Sequence, residues 1–179
     1  MLHNKIIAGL ICFALMATSS VVGGALTLGQ MRAQAQSVFY IGQGPAMGIP
    51  GDLNEISAQA HNITVIAQRY LADDYPALTR VHDARSYLQR ARNPRENYRA
   101  THELLTATHA LRATLDTLDL STQDQNLLAG AIAEINNRLT LINAAPYNQA
   151  AFRFNQALDR FPANIFGSAA GIRPLELFE

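Results

Sequence analysis

From Ile6 to Met31 the chain carries no charged residue, and from Ile6 to Leu28 almost every position is apolar or small. A helix rises about 1.5 Å per residue, so about 20 apolar residues cross the hydrocarbon core of a bilayer. The run is long enough to span. A buried core helix fits poorly, because such helices rarely go uncharged for this long. The expectation is a transmembrane helix over about residues 6–28, inside an amino-terminal anchor of residues 1–35. A second reading stays open. Ala33-Gln34-Ala35 has the small-x-small form of a signal-peptidase site, with Lys5 as the positive n-region. Cleavage after Ala35 would release a secreted or periplasmic helical binding protein. The apolar run outlasts the usual h-region of about 7–15 residues, which favours the uncleaved anchor. Thr18, Ser19, Ser20, Gly23 and Gly24 dilute the run without ending it. Lys5 stands on one side of it and Arg32 alone on the other, with no further Lys or Arg before Arg69. The positive-inside rule then puts the amino terminus in the cytoplasm and the following domain outside it.

The remainder has room for one domain. With 7% aromatic residues and no Trp, its core has to be aliphatic, which suits helices better than a sandwich. A net charge of zero argues against a nucleic-acid partner. Cys12 is the only cysteine, so one chain has no disulfide, and Leu10-Ile11 before it lack the small residues of a lipoprotein signal.

Residues 36–51 read as a Gly/Pro-rich linker, since Gly42, Gly44, Pro45, Gly48, Pro50 and Gly51 break helix and strand periodicity alike. Within it Val38, Phe39, Tyr40 and Ile41 are candidates to dock at the membrane interface. Asp52 with Glu55 forms a capping box, followed by Ile56, Ala60, Ile63, Ala67 and Tyr70 at helix-face spacing. Pro76 belongs either to a kink or to the first turn of a new helix capped by Asp73 or Asp74, continuing through Leu78, Val81, Arg85 and Leu88. Asn93-Pro94-Arg95-Glu96 is a helix start, and Leu104, Thr108, Leu111, Leu115 and Leu118 follow as one stripe. Ser121 with Asp124 opens a further helix, striped by Leu128, Ile132, Ile135, Leu139 and Ile142. Pro146 predicts a kink. No segment alternates at period two, so the expected fold is all-α: the amino-terminal transmembrane helix, then an antiparallel up-down bundle of long helices over residues 52–179.

The carboxy-terminal part repeats every seventh residue: Tyr147-Asn148, Phe154-Asn155, Phe161-Pro162. Seven residues bring a helix back to nearly the same face, so the rings are expected to form one buried stripe. Asn148 and Asn155 run beside it, and hydrogen bonding to a neighbouring helix or capping a kink is the expected role, with a ligand site as the alternative. After Pro162 the apolar tail of Ile165, Phe166, Ile172, Leu175, Leu177 and Phe178 is too apolar for a solvated terminus and should fold back. Gly171 lets the chain turn and Pro174 holds it extended.

This ending, YNQAAFRFNQALDRFPANIFGSAAGIRPLELFE, resembles the LemA family of bacterial membrane proteins, whose chains close with the same YN…(Y/F)N…FP…G…P…F order. Val81, Ala84 and Arg85 are similar to that family's V-x-x-A-R motif. The resemblance covers about residues 60–179 and implies an architecture rather than a reaction. It implies a single-pass protein of the bacterial inner membrane, whose helical bundle is a non-catalytic scaffold or interaction module of the cell envelope.

Signatures of catalytic and metal chemistry are missing. No Glu has a His three residues later, as di-iron bundles require, and His102 and His109 lack an accompanying carboxylate. HELLTATH is not H-E-x-x-H, and there is no phosphate loop, no nucleophile elbow and no haem motif. No catalytic residue, metal ligand or cofactor is expected. Arg80, Arg85, Arg90, Arg92, Arg95 and Arg99 cluster against Asp83 and Glu96 alone. Such a run is either a solvated face or a patch for anionic lipid, an acidic partner or the acidic region of a second copy. The expected partners are the membrane and, through such a patch, another protein or the chain itself.

Overall fold

The computed structural model describes the backbone of residues 2–42 and 47–179 and, within that range, every side chain except those of residues 2–6, 8, 13, 14 and 17. Among the described residues every regular element is an α-helix: α1 Leu2–Tyr40, α2 Ile49–Ala67, α3 Pro76–Arg90, α4 Pro94–Leu115, α5 Thr122–Ala144, α6 Tyr147–Asp159 and α7 Ala163–Ala169. The chain divides into two compact units, Met1–Gln36 with Gln149–Leu175, and Ser37–Asn148 with Glu176–Glu179.

In the second unit α2 packs against α3, α4 and α5, and α3 packs against α4. The core is aliphatic, with Leu53, Ile56, Ile63, Val81, Leu104, Leu111 and Leu115 fully enclosed. Asp52 at the start of α2 meets Arg138 late in α5 at 3.2 Å, while Arg69 just beyond α2 pairs with Asp124 in the first turn of α5. The two helices therefore run antiparallel. The Asn93 side chain accepts from the Glu96 amide at 2.8 Å, and the Ser121 hydroxyl accepts from the Asp124 amide at 3.1 Å, so both sequence caps hold.

Two other helix starts differ from expectation. Gly48, extended at φ −63° and ψ 160°, is the N-cap of α2, and Pro50 sits in the first turn. The helix begins one turn early, so Asp52 faces α5 as a buried carboxylate instead of capping. Helix α3 starts after Tyr75 with no side-chain cap, so neither Asp73 nor Asp74 serves, and Pro76 lies in its first turn. At Pro146 the chain does more than kink: Ala145 is extended (ψ 133°), α5 ends at Ala144 and a separate helix begins at Tyr147. Of the expected linker, residues 36–40 belong to α1 and 49–51 to α2, while 43–46 lie outside the described residues.

In the first unit α6 and α7 close on the later part of the α1 segment. The Phe166 ring rests against Gly24, where any Cβ would collide with it, and Gly167 lies against Leu158 and Leu28. Phe154 and Ala151 are enclosed. From Ile7 to Ser20 the opposite holds, because every described side chain there is exposed. Leu10 and Leu15 are 64% and 65% exposed.

The span expected over residues 6–28 is described only in part. Among the described residues no helix is long and apolar enough to cross a membrane. The side chains of residues 6, 8, 13, 14 and 17, part of the expected 6–28 span, lie outside the described ones. The continuous remainder, Thr18–Tyr40, carries Thr18, Ser19, Ser20, Thr27, Gln30, Arg32, Gln34, Gln36 and Ser37. These polar groups lower its apolarity.

Candidate functional site

Helix α6 and the extended tail explain the seven-residue repeat. A primary amide offers one donor and one acceptor side by side, the complement of one residue's backbone C=O and N–H. Within the second unit, Asn148 Nδ2 donates to the Phe178 carbonyl at 2.9 Å and Asn148 Oδ1 accepts from the Phe178 amide at 2.8 Å. Within the first, Asn155 Nδ2 donates to the Leu175 carbonyl at 2.9 Å and Asn155 Oδ1 accepts from the Leu175 amide at 2.8 Å. Both asparagines therefore bond the chain's own extended tail, where a neighbouring helix or a kink was the expected target.

Around Asn148 the second unit builds an aromatic seat. The Tyr147 hydroxyl donates to the Glu176 carbonyl at 2.6 Å. Burial pushes that hydroxyl up to about 12. The Tyr147 ring centroid lies 4.8 Å from Phe39, and the Phe178 ring lies 6.3 Å from Phe39 and 5.4 Å, edge-on, from Tyr98. Val38 and Phe39 are buried here and cannot dock at a membrane interface, whereas Tyr40 and Ile41 are exposed. The tail turns into place through the end of α7. Gly171, at φ +67°, adopts the left-handed conformation, the Ile172 amide reaches back to Gly167 at 2.8 Å and Gly171 to Ser168 at 3.2 Å. This is a Schellman cap, which glycine alone enters without strain.

The stripe of rings is not continuous. Tyr147 and Phe154 are each 1% exposed, but Phe161 is 80% exposed. Helix α6 ends at Asp159, so the heptad geometry that aligns the first two rings no longer applies two residues later. Pro162 is the N-cap of α7.

Of the six arginines, one is engaged inside the fold. Arg85 is half-buried and its Nε donates to the Ser57 carbonyl at 3.1 Å, tying α3 to α2. Arg80, Arg90, Arg92, Arg95 and Arg99 are exposed, and among the described residues none of them is in an ion pair. Arg80, Tyr87, His102 and Glu103 line an open α3–α4 groove of about 650 Å³. Two smaller grooves, of about 440 and 410 Å³, flank α5. His61, His82, His102 and His109 are all exposed, and among the described residues no three His, Cys, Asp or Glu side chains gather as a metal site.

The most connected polar group is structural. Asp124 accepts from the Tyr70 hydroxyl at 2.6 Å and the Ser121 hydroxyl at 2.9 Å, and it pairs with Arg69. The Tyr70 hydrogen bond, with those of Ser121 and Arg69, holds its carboxyl below the usual range despite burial. At the other end of the same helix pair, Arg138 bridges Asp52 and Glu134. Sequence reasoning read Asp52 and Asp124 as caps alone. It missed Phe39 and Tyr98, for which no periodicity marks a shared seat.

Residues 56–179 match the family model described as the LemA family. No curated protein matches the chain.

Proposed function

The chain belongs to the LemA family, and from that membership and its helical architecture we propose a membrane-attached, non-catalytic scaffold of the bacterial cell envelope. The observation behind the attachment is the bare helix segment from Ile7 to Ser20. Ile7, Leu10, Ile11, Leu15 and Met16 on α1 are all exposed. Apolar area left in water costs about 25 cal/mol per Å², so this row of exposed large apolar side chains favours a non-aqueous surrounding. Together with the uncharged run from Ile6 to Met31, this favours a single-pass anchor with the bundle outside the cytoplasm. The non-catalytic part is supported by exposed, dispersed histidines and by carboxylates engaged in helix–helix ion pairs. Cleavage after Ala35 is disfavoured by its place inside α1, where it is buried, since a peptidase needs an extended chain. Carbonate extraction of membranes containing the carboxy-terminally tagged chain tests both readings. A full-mass species that stays in the pellet is the expected result. A soluble species beginning at Gln36 would replace the anchor by a cleaved signal.

A further inference from the structure

The seat for the tail in the second unit is built to bind a peptide backbone. Tyr147 and Asn148 make three hydrogen bonds to residues 176–178, and all three end on main-chain atoms: the Glu176 carbonyl, the Phe178 carbonyl and the Phe178 amide. A bidentate asparagine of this kind accepts any residue that presents an extended backbone. In the seat itself side-chain identity is read where the Phe178 ring lies edge-on to Tyr98 and near Phe39, while upstream the Leu175 side chain is buried in the first unit. Nothing in these contacts depends on the segment being attached to the same chain. The segment enters this seat after a single left-handed residue, Gly171, and the Asn155 clasp on Leu175 likewise touches only main-chain atoms. A short element held by transferable contacts beyond one hinge is the arrangement that exchanges between identical protomers at low cost.

We propose that the Tyr147–Asn148–Phe39–Tyr98 seat is an extended-peptide receptor, and that its second occupant is residues 172–178 of another copy of this chain. In one chain the tether keeps the tail at an effective concentration in the millimolar range, so the closed monomer dominates in dilute solution. Exchange takes over when copies are concentrated or when a chain's own tail is impaired. The seat then links copies without any new contact being made.

Two full-length variants test this. In Asn148→Asp the amide donor is gone and the seat is impaired, while the tail is intact. In Phe178→Arg the tail is impaired, while the seat is intact. Each is purified in the same detergent, checked for helix content by circular dichroism and sized by sedimentation, alone and mixed. Monomers alone and a one-to-one complex on mixing are expected, because only the mixed pair offers a sound seat and a sound tail. Two monomers after mixing overturn the proposal. A second measurement does not require Asn148→Asp to fold: a fluorescein-labelled peptide of residues 172–179 is titrated into the full-length Phe178→Arg chain and into the unsubstituted chain. Saturable binding to the first, at least about tenfold tighter than to the second, whose own tail competes, is expected. No binding, or equal binding to both, overturns the receptor. Peptide binding without a mixed complex overturns exchange between copies.

Discussion

At the scale of single residues, position within the repeat matters less than where the helix stops. Phe154 and Phe161 look equivalent in sequence, yet one is enclosed and the other stands in solvent. Phe154→Ala should cost about 3–5 kcal/mol, the usual loss on deleting an enclosed aromatic ring. Phe161→Ala should change stability by less than about 0.5 kcal/mol. Urea titrations of the two variants check the contrast, and equal losses would mean that Phe161 is buried after all. Tyr147 makes a pH-dependent contribution. Its folded value of about 12 exceeds the ordinary tyrosine value of about 10, so the buried hydroxyl stabilises the fold fully below pH 10. That stability is lost as pH rises toward 12, because the unfolded chain ionises first. Tyr147→Phe should therefore flatten the fall in melting temperature between about pH 10 and pH 12, and an unchanged slope would contradict the buried, neutral hydroxyl.

At the scale of elements, the asparagine clasps join a helix to a strand-like tail that no pattern of apolar residues would pair. Each clasp satisfies both polar groups of one backbone residue, and leaving such groups unpaired costs about 1–3 kcal/mol. Asn155→Ala should release the Leu175 amide from hydrogen-exchange protection while the amides at the centre of α4 stay protected. Global loss of protection would show instead that the clasp is needed for the bundle itself. Arg85 is likewise placed by a single backbone group. It leaves the basic cluster of its neighbours because its Nε donates to the Ser57 carbonyl on the facing helix.

At the scale of the whole molecule, one end of α1 is the outlier. Its described apolar side chains from Ile7 to Met16 find no cover within the described chain, while those from Leu28 onward begin to be buried. If lipid covers them, an arginine at mid-segment costs about 2.5–3.5 kcal/mol of insertion. Leu10→Arg with Leu15→Arg should shift the protein out of the carbonate-resistant pellet without changing the melting of the bundle. Retention in the pellet would mean that another surface holds the membrane, and the exposed arginines at the α3–α4 turn would be the next to replace.

Sequence alone determined the all-helical class, the caps at Asn93 and Ser121, the buried stripes of α2, α4 and α5, and the family. These follow from local rules, namely period, capping chemistry and turn residues, which act within a few positions of the chain. The motif that carries the family resemblance was also visible. What the tertiary structure decided was every choice that depends on a partner distant in the chain. It turned Asp52 from a cap into an ion pair with Arg138, drew Arg85 out of the basic cluster, brought Phe39 and Tyr98 to Phe178, and made the asparagines bind the tail. A polar or aromatic side chain states its own needs in the sequence. Which distant group meets them is settled only when packing brings the two within hydrogen-bonding or van der Waals reach.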